Sequence, residues 1–236
     1  MKTLLLCAIS VLPPVVQAMD SDLWAFKLTP SLYSNRQAPQ ATDLNLRGNL
    51  GPHALWVGQY KQAGFGQQIR TGYEYTASLD WGQLVSSLQA AEGGFAGASF
   101  TAQIGQELYG IAGWGRTNLR PYYNLNFDPN DALTLGVGRW WGRQHQISLY
   151  RIQDDRLHTG QRVTHLLWRY HPNDVHRLTL DLADKRGRSE ANGPGLQGSS
   201  LSLTWDWQGH FVRAAVDHKV NFSDDTQKRL SVGWRF

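Results

Sequence analysis

The chain has 236 residues, with 23 basic and 19 acidic residues and a formal net charge of +4. Its mean hydropathy is −0.43, and it has no apolar run of the roughly 18 residues that a transmembrane helix needs, which excludes helical membrane spans. The length suits one barrel or sandwich domain. Ten Trp and nine Tyr are many for this length, as is typical of proteins with aromatic girdles at two membrane interfaces.

The N-terminal segment 1–18 has the features of a secretory signal peptide. Met1 and Lys2 form a positively charged start, and Thr3–Leu12 is mostly apolar. The residues Val16-Gln17-Ala18 resemble a signal-peptidase site, with cleavage after Ala18. The alternative is a short buried helix. Cys7, the only cysteine, lies in this segment, so the mature chain 19–236 would have no thiol. Disulfides and Cys-ligated metals would then be excluded.

Along the rest of the chain, apolar and polar residues alternate with a period of two, which predicts a series of strands. Most segments approach the roughly 9–11 residues that a tilted strand needs to cross a bilayer. The segment 93–118 has no clear period, and it is interpreted either as one strand with an inward-folded loop or as two short strands. The other predicted strands are 24–32, 43–50, 53–62, 68–75, 84–91, 119–127, 132–141, 146–152, 163–171, 177–184, 198–207, 210–222 and 229–236.

The connections between these segments alternate between tight turns and longer polar stretches. Tight turns are expected at 49–52, 78–82, 171–175 and 207–209, and longer loops at 34–41, 153–161, 185–196 and 223–228. Short periplasmic turns and longer external loops are typical of membrane β-barrels. The sequence therefore predicts an all-β fold, a single antiparallel transmembrane β-barrel of 12–14 strands over residues 19–236. Length alone favours twelve.

The last strand, Arg229–Phe236, alternates strictly and ends on an aromatic residue. It resembles the C-terminal signal of bacterial outer-membrane β-barrel proteins. This resemblance implies a bacterial outer-membrane location, contact with outer-membrane lipid, and recognition by the barrel assembly machinery through the Phe236 strand. Its lipid face would be formed by Leu230, Val232, Trp234 and Phe236.

The hairpins at 42–62 and 66–91, and the segment from Leu119 to Leu135, resemble small monomeric porins with twelve strands. Porins of that type take up acidic oligosaccharides such as oligogalacturonate or sialic acid. The resemblance implies a pore lined by arginines, without assigning individual positions.

Strand parity independently predicts which charged residues face the interior. If apolar residues face lipid, the charges between them face the lumen, because an Arg or Lys near the bilayer midplane costs roughly 2–4 kcal/mol on the lipid face. Basic residues outnumber acidic ones in this set, which favours a lumen that concentrates anions. The set is Lys27, Asp43, Arg47, Arg70, Glu74, Arg120, Arg177, Asp181, Asp206, Arg213, Asp217, Lys219, Arg229 and Arg235.

Within the predicted strand 119–127, Arg, Tyr and Asn side chains share the inward face, and this combination suits contact with a sugar or a carboxylate. The alternative is a satisfied polar ladder inside a closed barrel. The complete set of candidate pore-lining residues is Arg47, Arg70, Arg120, Tyr122, Asn124, Asn126, Arg177, Arg213, Lys219, Arg229 and Arg235.

These observations predict a porin-like channel for small, anionic solutes such as acidic oligosaccharides. Two alternatives stay open: a plugged structural or interaction barrel without transport, and an outer-membrane lipid-modifying enzyme. No catalytic residues are predicted, because no segment resembles the motifs of barrel lipases, deacylases or omptin proteases. No cofactor, bound metal or nucleic-acid partner is expected.

Overall fold

A computed structural model describes residues 23–64, 66–123 and 128–236. Within these residues, fourteen strands form a closed antiparallel barrel in which each strand pairs with its neighbours in sequence and β1 pairs with β14. The strands are β1 (Ala25–Asn35), β2 (Ala41–Leu50), β3 (His53–Gln62), β4 (Gly66–Leu79), β5 (Gly82–Ala91), β6 (Phe95–Gly105), β7 (Leu108–Thr117), β8 (Ala132–Trp141), β9 (His145–Asp154), β10 (Arg162–Tyr170), β11 (His176–Gly187), β12 (Leu196–Trp207), β13 (His210–His218) and β14 (Thr226–Arg235). A single 3₁₀ turn, Val220–Phe222, lies between the last two.

The predicted all-β barrel is confirmed, and the strand count is fourteen. The length-based preference for twelve strands was wrong, because several turns at one end contain only two residues, as at 51–52 and 80–81. Because these turns are so short, the chain is long enough for two further strands. The segment 93–118 contributes both of them, since it forms β6 and β7 rather than a strand and a loop.

Several predicted strand bounds were wrong. Residues 119–123, predicted as the first part of a strand, form no strand, and residues 124–127 lie outside the described part of the chain. The predicted strand 210–222 ends at His218. Lys219 follows with a φ of 57°, a left-handed conformation that does not continue a strand. The signal-peptide prediction falls within residues 1–22, outside the described residues, and stays a prediction.

The outer wall of the barrel is apolar along the middle of the strands. Leu135, Val137, Leu149 and Leu166 are all exposed on this surface, and they follow one another on neighbouring strands. A continuous exposed apolar band is unfavourable in water and is the lipid-facing surface of a membrane barrel. The protein is therefore a transmembrane barrel. Among the described residues, no helix is long and apolar enough to cross a membrane.

The two ends of the barrel differ as the sequence predicts. Short turns such as 106–107 and 208–209 lie at one end, and the longer loops 118–131, 155–161 and 188–195 lie at the other. Short turns mark the periplasmic end and longer loops the external end. The outer wall near the periplasmic end presents Trp and Tyr side chains, which suit a membrane–water interface. They include Tyr75, Trp141, Trp168, Trp205 and Trp234.

The barrel closes where the first and last strands meet. Phe26 N donates to Phe236 O at 2.8 Å, Phe236 N donates to Phe26 O at 3.0 Å, and the two rings stack with centroids 5.9 Å apart. The pairing of β1 with β14 is interrupted at Thr29 and Pro30 and resumes at Ser31. Proline has no N–H to donate, so the interruption follows from the sequence.

We expect a charge at the middle of the lipid-facing wall to destabilise the barrel. Leu149 is 50% exposed on β9, and its partners on both neighbouring strands, Val137 and Leu166, are apolar. The substitution Leu149→Arg should lower the free energy of unfolding in lipid vesicles by roughly 2–4 kcal/mol. Denaturant titration of the refolded protein measures this loss.

The matched control is Leu133→Arg, which places the same charge near the external end of the wall opposite Gln153. Its expected cost is about 0–1 kcal/mol, because the penalty declines toward the interface. Equal costs at the two positions would contradict the assignment of the apolar band to the bilayer.

Candidate functional site

The described parts of the connection between β7 and β8, residues 118–123 and 128–131, fold into the barrel instead of projecting outward, and we call this connection the inward loop. On one side its backbone is fixed by β4: Gln68 Nε2 donates to Pro121 O at 3.1 Å, Tyr123 N donates to Gln68 Oε1 at 2.8 Å, and Arg70 Nη1 donates to Tyr123 O at 2.9 Å. Because Gln68 and Arg70 are buried, inward-facing residues of the wall, these bonds hold the start of the loop inside the lumen.

Aromatic stacking reinforces this attachment. The ring of Tyr122 stacks on Phe95 and the ring of Tyr123 stacks on Tyr60, each at a centroid distance of 4.2 Å. Tyr60 in turn meets Tyr33 edge to face at 6.1 Å. Offset and edge contacts of this kind stabilise aromatic clusters by about 0.5–1.5 kcal/mol per pair beyond area burial. These contacts join the start of the loop to β3 and β6 and, through Tyr60, to β1.

A second attachment lies across the barrel, on β10 and β11. His165 Nε2 is 2.9 Å from Asp128 Oδ1, and His165 Nδ1 is 2.9 Å from Asp181 Oδ1. Ionised carboxylates only accept hydrogen bonds, so the arrangement is complete when both ring nitrogens donate. Tyr150 stacks on the imidazole at 4.7 Å. We refer to Asp128, His165 and Asp181 as the histidine clamp.

The loop is also attached where it joins β8. Asp131 accepts hydrogen bonds from Thr117 Oγ1 at 2.6 Å and from Arg156 Nη1 at 2.8 Å. The described parts of the loop thus contact β4, β7 and β10. In a closed barrel of fourteen strands, β4 and β10 lie on nearly opposite walls. The two described parts of the loop are therefore attached to nearly opposite walls, and they narrow the lumen at its external half.

Charged residues in this external half are buried and paired. Arg70 forms an ion pair with Asp43, and Lys185 forms one with Asp217. All four side chains are almost inaccessible to solvent. Unpaired charges would be strongly unfavourable in such positions, whereas a paired and hydrogen-bonded charge is tolerated.

The periplasmic half of the lumen is more accessible and more basic. Arg47 binds Glu74 at 2.5 Å, while Arg177 and Arg235 share Asp206 at 3.0 and 2.6 Å. The arginine side chains keep 25%, 28% and 38% of their surface exposed, respectively. Two cations sharing one carboxylate leave a net positive charge facing water.

Phe211 lies at the centre of a cluster of cations in the same region. Lys27 Nζ is 5.8 Å from the centroid of its ring, Arg213 Cζ is 5.8 Å away and Arg235 Cζ is 5.7 Å away. This close packing needs glycine at position 233, since a Cβ there would lie 2.2 Å from Phe211 Cε1. Cations over an aromatic face are stabilised by its quadrupole.

Lys27 and Arg213 form no ion pair with any acidic group in the described residues. Arg213 Nε donates instead to Thr204 Oγ1 at 3.0 Å. Arg177 and Arg235 share the single carboxylate of Asp206, and Lys27 and Arg213 have none in the described part of the chain. The periplasmic half of the lumen therefore has an excess of positive charge. We call the region around Phe211, defined by Lys27, Arg47, Arg177, Arg213 and Arg235, the basic vestibule.

The structure distributes the candidate pore-lining residues over several environments. Arg47, Arg177, Arg213, Arg229 and Arg235 face the lumen, with Arg229 opposite Tyr33 on the neighbouring strand. Arg70 and Tyr122 are buried where they hold the loop. Arg120 is exposed and Lys219 is partly buried, and both lie outside the strands, where parity does not apply. Asn124 and Asn126 lie outside the described residues.

Sequence reasoning missed the histidine clamp and the Lys185–Asp217 pair. Of the three clamp residues, only Asp181 belongs to the predicted lumen-facing set, and its contact with His165 and Asp128 depends on a loop that folds into the barrel. Lys185 was assigned to a loop, whereas β11 continues to Gly187. Extending the alternation by two residues beyond Ala183 would have placed Lys185 on the inward face.

The histidine clamp has the residue types of a catalytic site but not its geometry. A general base needs a ring nitrogen free to accept a proton from a nucleophile. Both nitrogens of His165 face carboxylates instead. The clamp is therefore suited to holding the loop.

No protein-family model matches the chain, and no curated protein matches it. Solved structures share its architecture. The outer membrane protein Omp33 of Acinetobacter baumannii is 10% identical, with a TM-score of 0.57 over 90% of this chain and 98% of that one. The KdgM porin, solved in complex with disordered oligogalacturonate, is 9% identical, with a TM-score of 0.49 over 89% and 99%. The likeness to Omp33 shows that the chain has the closed-barrel fold of an outer membrane protein.

We expect removal of the clamp to release the inward loop. The substitution His165→Ala leaves Asp128 and Asp181 without the cation between them, and breaking a buried pair costs roughly 3–5 kcal/mol. Single-channel recordings in planar bilayers should show a higher or more fluctuating conductance than the unsubstituted protein.

The control is His218→Ala, which removes an exposed histidine on the outer wall. Electrophoretic mobility without heating should confirm that both variants form folded barrels. Conductance traces of His165→Ala that match those of the unsubstituted protein would show that the clamp does not hold the constriction.

Proposed function

We propose that the protein is an outer-membrane channel that admits small anionic solutes, with acidic oligosaccharides as the solute class. The observation that supports this most directly is the basic vestibule, where Lys27 and Arg213 face the lumen without an acidic partner among the described residues. A cavity in which the cations outnumber the carboxylates raises the local concentration of anions. Carboxylate-bearing solutes would be drawn toward the constriction.

The chemistry of the vestibule suits carboxylates in particular. Arginine keeps its charge and offers a planar fork that donates two parallel hydrogen bonds to a carboxylate. Arg177 and Arg235 already hold the Asp206 carboxylate between them. A solute carboxylate would find the same kind of donors on Arg213 and Lys27.

Flat apolar surfaces lie beside these cations, as a sugar ring requires. Trp56 is the register partner of Arg47 on the inward face of the wall, and it is only partly buried. It lies over Gly72, where a Cβ would be 2.5 Å from Trp56 Nε1. A ligand site that combines an aromatic face with a few placed polar groups fixes both position and orientation.

The inward loop supplies the selectivity of such a channel. Its attachments at Gln68, Arg70 and the histidine clamp hold it across the external half of the lumen. A solute would pass between this loop and the wall before it enters the vestibule. Size selection then occurs at the loop and charge selection below it.

A second candidate function is a sealed barrel without transport. The packing of the external half favours it, because the aromatic cluster around Tyr60 and the buried ion pairs fill much of that region. The two candidates differ in one measurable property, since a sealed barrel has no steady ionic conductance in a planar bilayer.

We expect the variant with Lys27→Gln and Arg213→Gln to lose anion preference. In a salt gradient, the reversal potential of the unsubstituted channel should have the sign of an anion-selective pore. The reversal potential of the double variant should shift toward zero or toward the sign of a cation-selective pore. Neutral amides remove the two uncompensated charges but keep hydrogen-bonding capacity.

The matched control is Lys228→Gln, which removes one lysine from the outer wall of β14. Its reversal potential should equal that of the unsubstituted protein. Reversal potentials that are identical in all three proteins would refute the role of the vestibule. The absence of any conductance would favour the sealed barrel.

A further inference from the structure

The outer wall of the barrel has a concave groove at its external half, where a barrel surface is normally convex. The groove encloses about 1180 Å³ and extends over β12, β13, β14, β1, β2, β3 and the start of β4. Leu201 and Leu203 form one side, and the floor includes Leu230, Leu32 and Ala214. All of these side chains point away from the lumen.

The sequence explains the concavity. The strands at the floor present small outward residues, Ala214, Ser34 and Thr42, between the larger Leu203 on one side and Lys61 on the other. On the inward face of the same strands, Ser31 Oγ and Ser231 Oγ are 2.8 Å apart. Small residues on both faces give this part of the wall little thickness.

A second groove of about 390 Å³ continues from the first toward the middle of the membrane. The two share Leu32, Thr42, Lys61 and Leu230, and the second adds Pro30, where the pairing of β1 with β14 is interrupted. Together they form an apolar channel along the outer wall, from the external rim to the bilayer interior. Acyl chains are the natural occupants of such a surface in a membrane.

The external end of the groove is basic. Lys61 and Lys228 are exposed on the lipid-facing side, and β1 and β2 lie between their strands. Three strand spacings place them about 14 Å apart across the wall. Neither lysine has an acidic partner among the described residues, and no Asp or Glu is found among the residues that line the groove.

The same rim is basic around much of the barrel, whereas the periplasmic rim is aromatic. The outward-facing charged residues near the external strand ends are mostly cations. They are Lys61, Arg116, Arg151, Arg162, Arg186 and Lys228, with Asp184 as the acidic exception. This rim lies at the level of the headgroups of the external leaflet.

We propose that the groove binds a phosphorylated glycolipid of the external leaflet, with its acyl chains along the apolar floor and its phosphate groups on Lys61 and Lys228. An anionic headgroup complements the two lysines, and the apolar floor suits its chains. A second copy of this chain that packed through the same patch would bring lysine against lysine. Charge therefore favours the lipid as the occupant.

The test measures the lipid that remains bound to the protein after extraction from outer membranes in mild detergent. Mass spectrometry of the purified full-length protein should detect phosphorylated glycolipid at a fixed ratio to the chain. The variant with Lys61→Gln and Lys228→Gln should weaken its binding by about 30-fold, since each lysine near an anionic lipid contributes roughly a factor of five.

Two further variants make the result specific. Ala214→Trp fills the floor of the groove but keeps both lysines, and it should also reduce the bound glycolipid. Arg139→Gln removes a cation from the periplasmic side of the outer wall, where Arg139 binds Glu107 at 3.0 Å, and it should leave the bound lipid unchanged. Anion selectivity should be unaffected in all of these variants, so the lipid site and the channel are tested separately.

Three outcomes would overturn the proposal. One is equal glycolipid retention in the double lysine variant and the unsubstituted protein. Another is retention of ordinary phospholipid with the same dependence on both lysines. The third is a dimer in light scattering that Ala214→Trp dissociates while no lipid is bound, which would assign the groove to a second copy of the chain.

Discussion

Closure of β1 onto β14 is the constraint on which the rest of the structure depends. In a bilayer no water is present to satisfy backbone N–H and C=O groups, so a sheet can cross it only without free edges. The bonds between Phe26 and Phe236 complete this closure at the periplasmic end. Closure also fixes the parity of every strand, because each residue then faces either lipid or lumen. The alternating sequence is the direct consequence of those two environments.

The lumen shows how the protein places charge according to the water available. In the external half, where the loop 118–131 crosses the barrel, Lys185 is buried against Asp217 and His165 lies between two carboxylates. In the periplasmic half, cations exceed carboxylates, and water can solvate the excess. The same barrel can therefore hold a packed constriction and a charged vestibule. The boundary between the constriction and the vestibule lies where the inward loop ends, not at the ends of the strands.

The sequence was sufficient to predict the features that depend on local periodicity. Alternation located most strands, and the register places the predicted lumen positions Arg213 and Asp206 on one face of the wall. It failed at residues 119–123, which form no strand, because Arg120 and Tyr122 alternate with their neighbours at the same period as strand residues. The clamp at His165 was also beyond local reasoning, since its partners lie 37 and 16 residues away. Tertiary contacts of a folded-in loop leave no periodic signal.

Consecutive residues of one strand face two different environments, the lipid and the lumen. Strand β14 provides an example. Lys228 faces the lipid side while Arg229 faces the lumen beside Tyr33. A shift of register by one residue would exchange them and would turn Leu230 and Val232 from the lipid into the lumen. The basic external rim and the basic lumen are thus independent properties that share strands. A substitution of a lipid-facing residue therefore changes the outer surface without changing the side chains that line the pore.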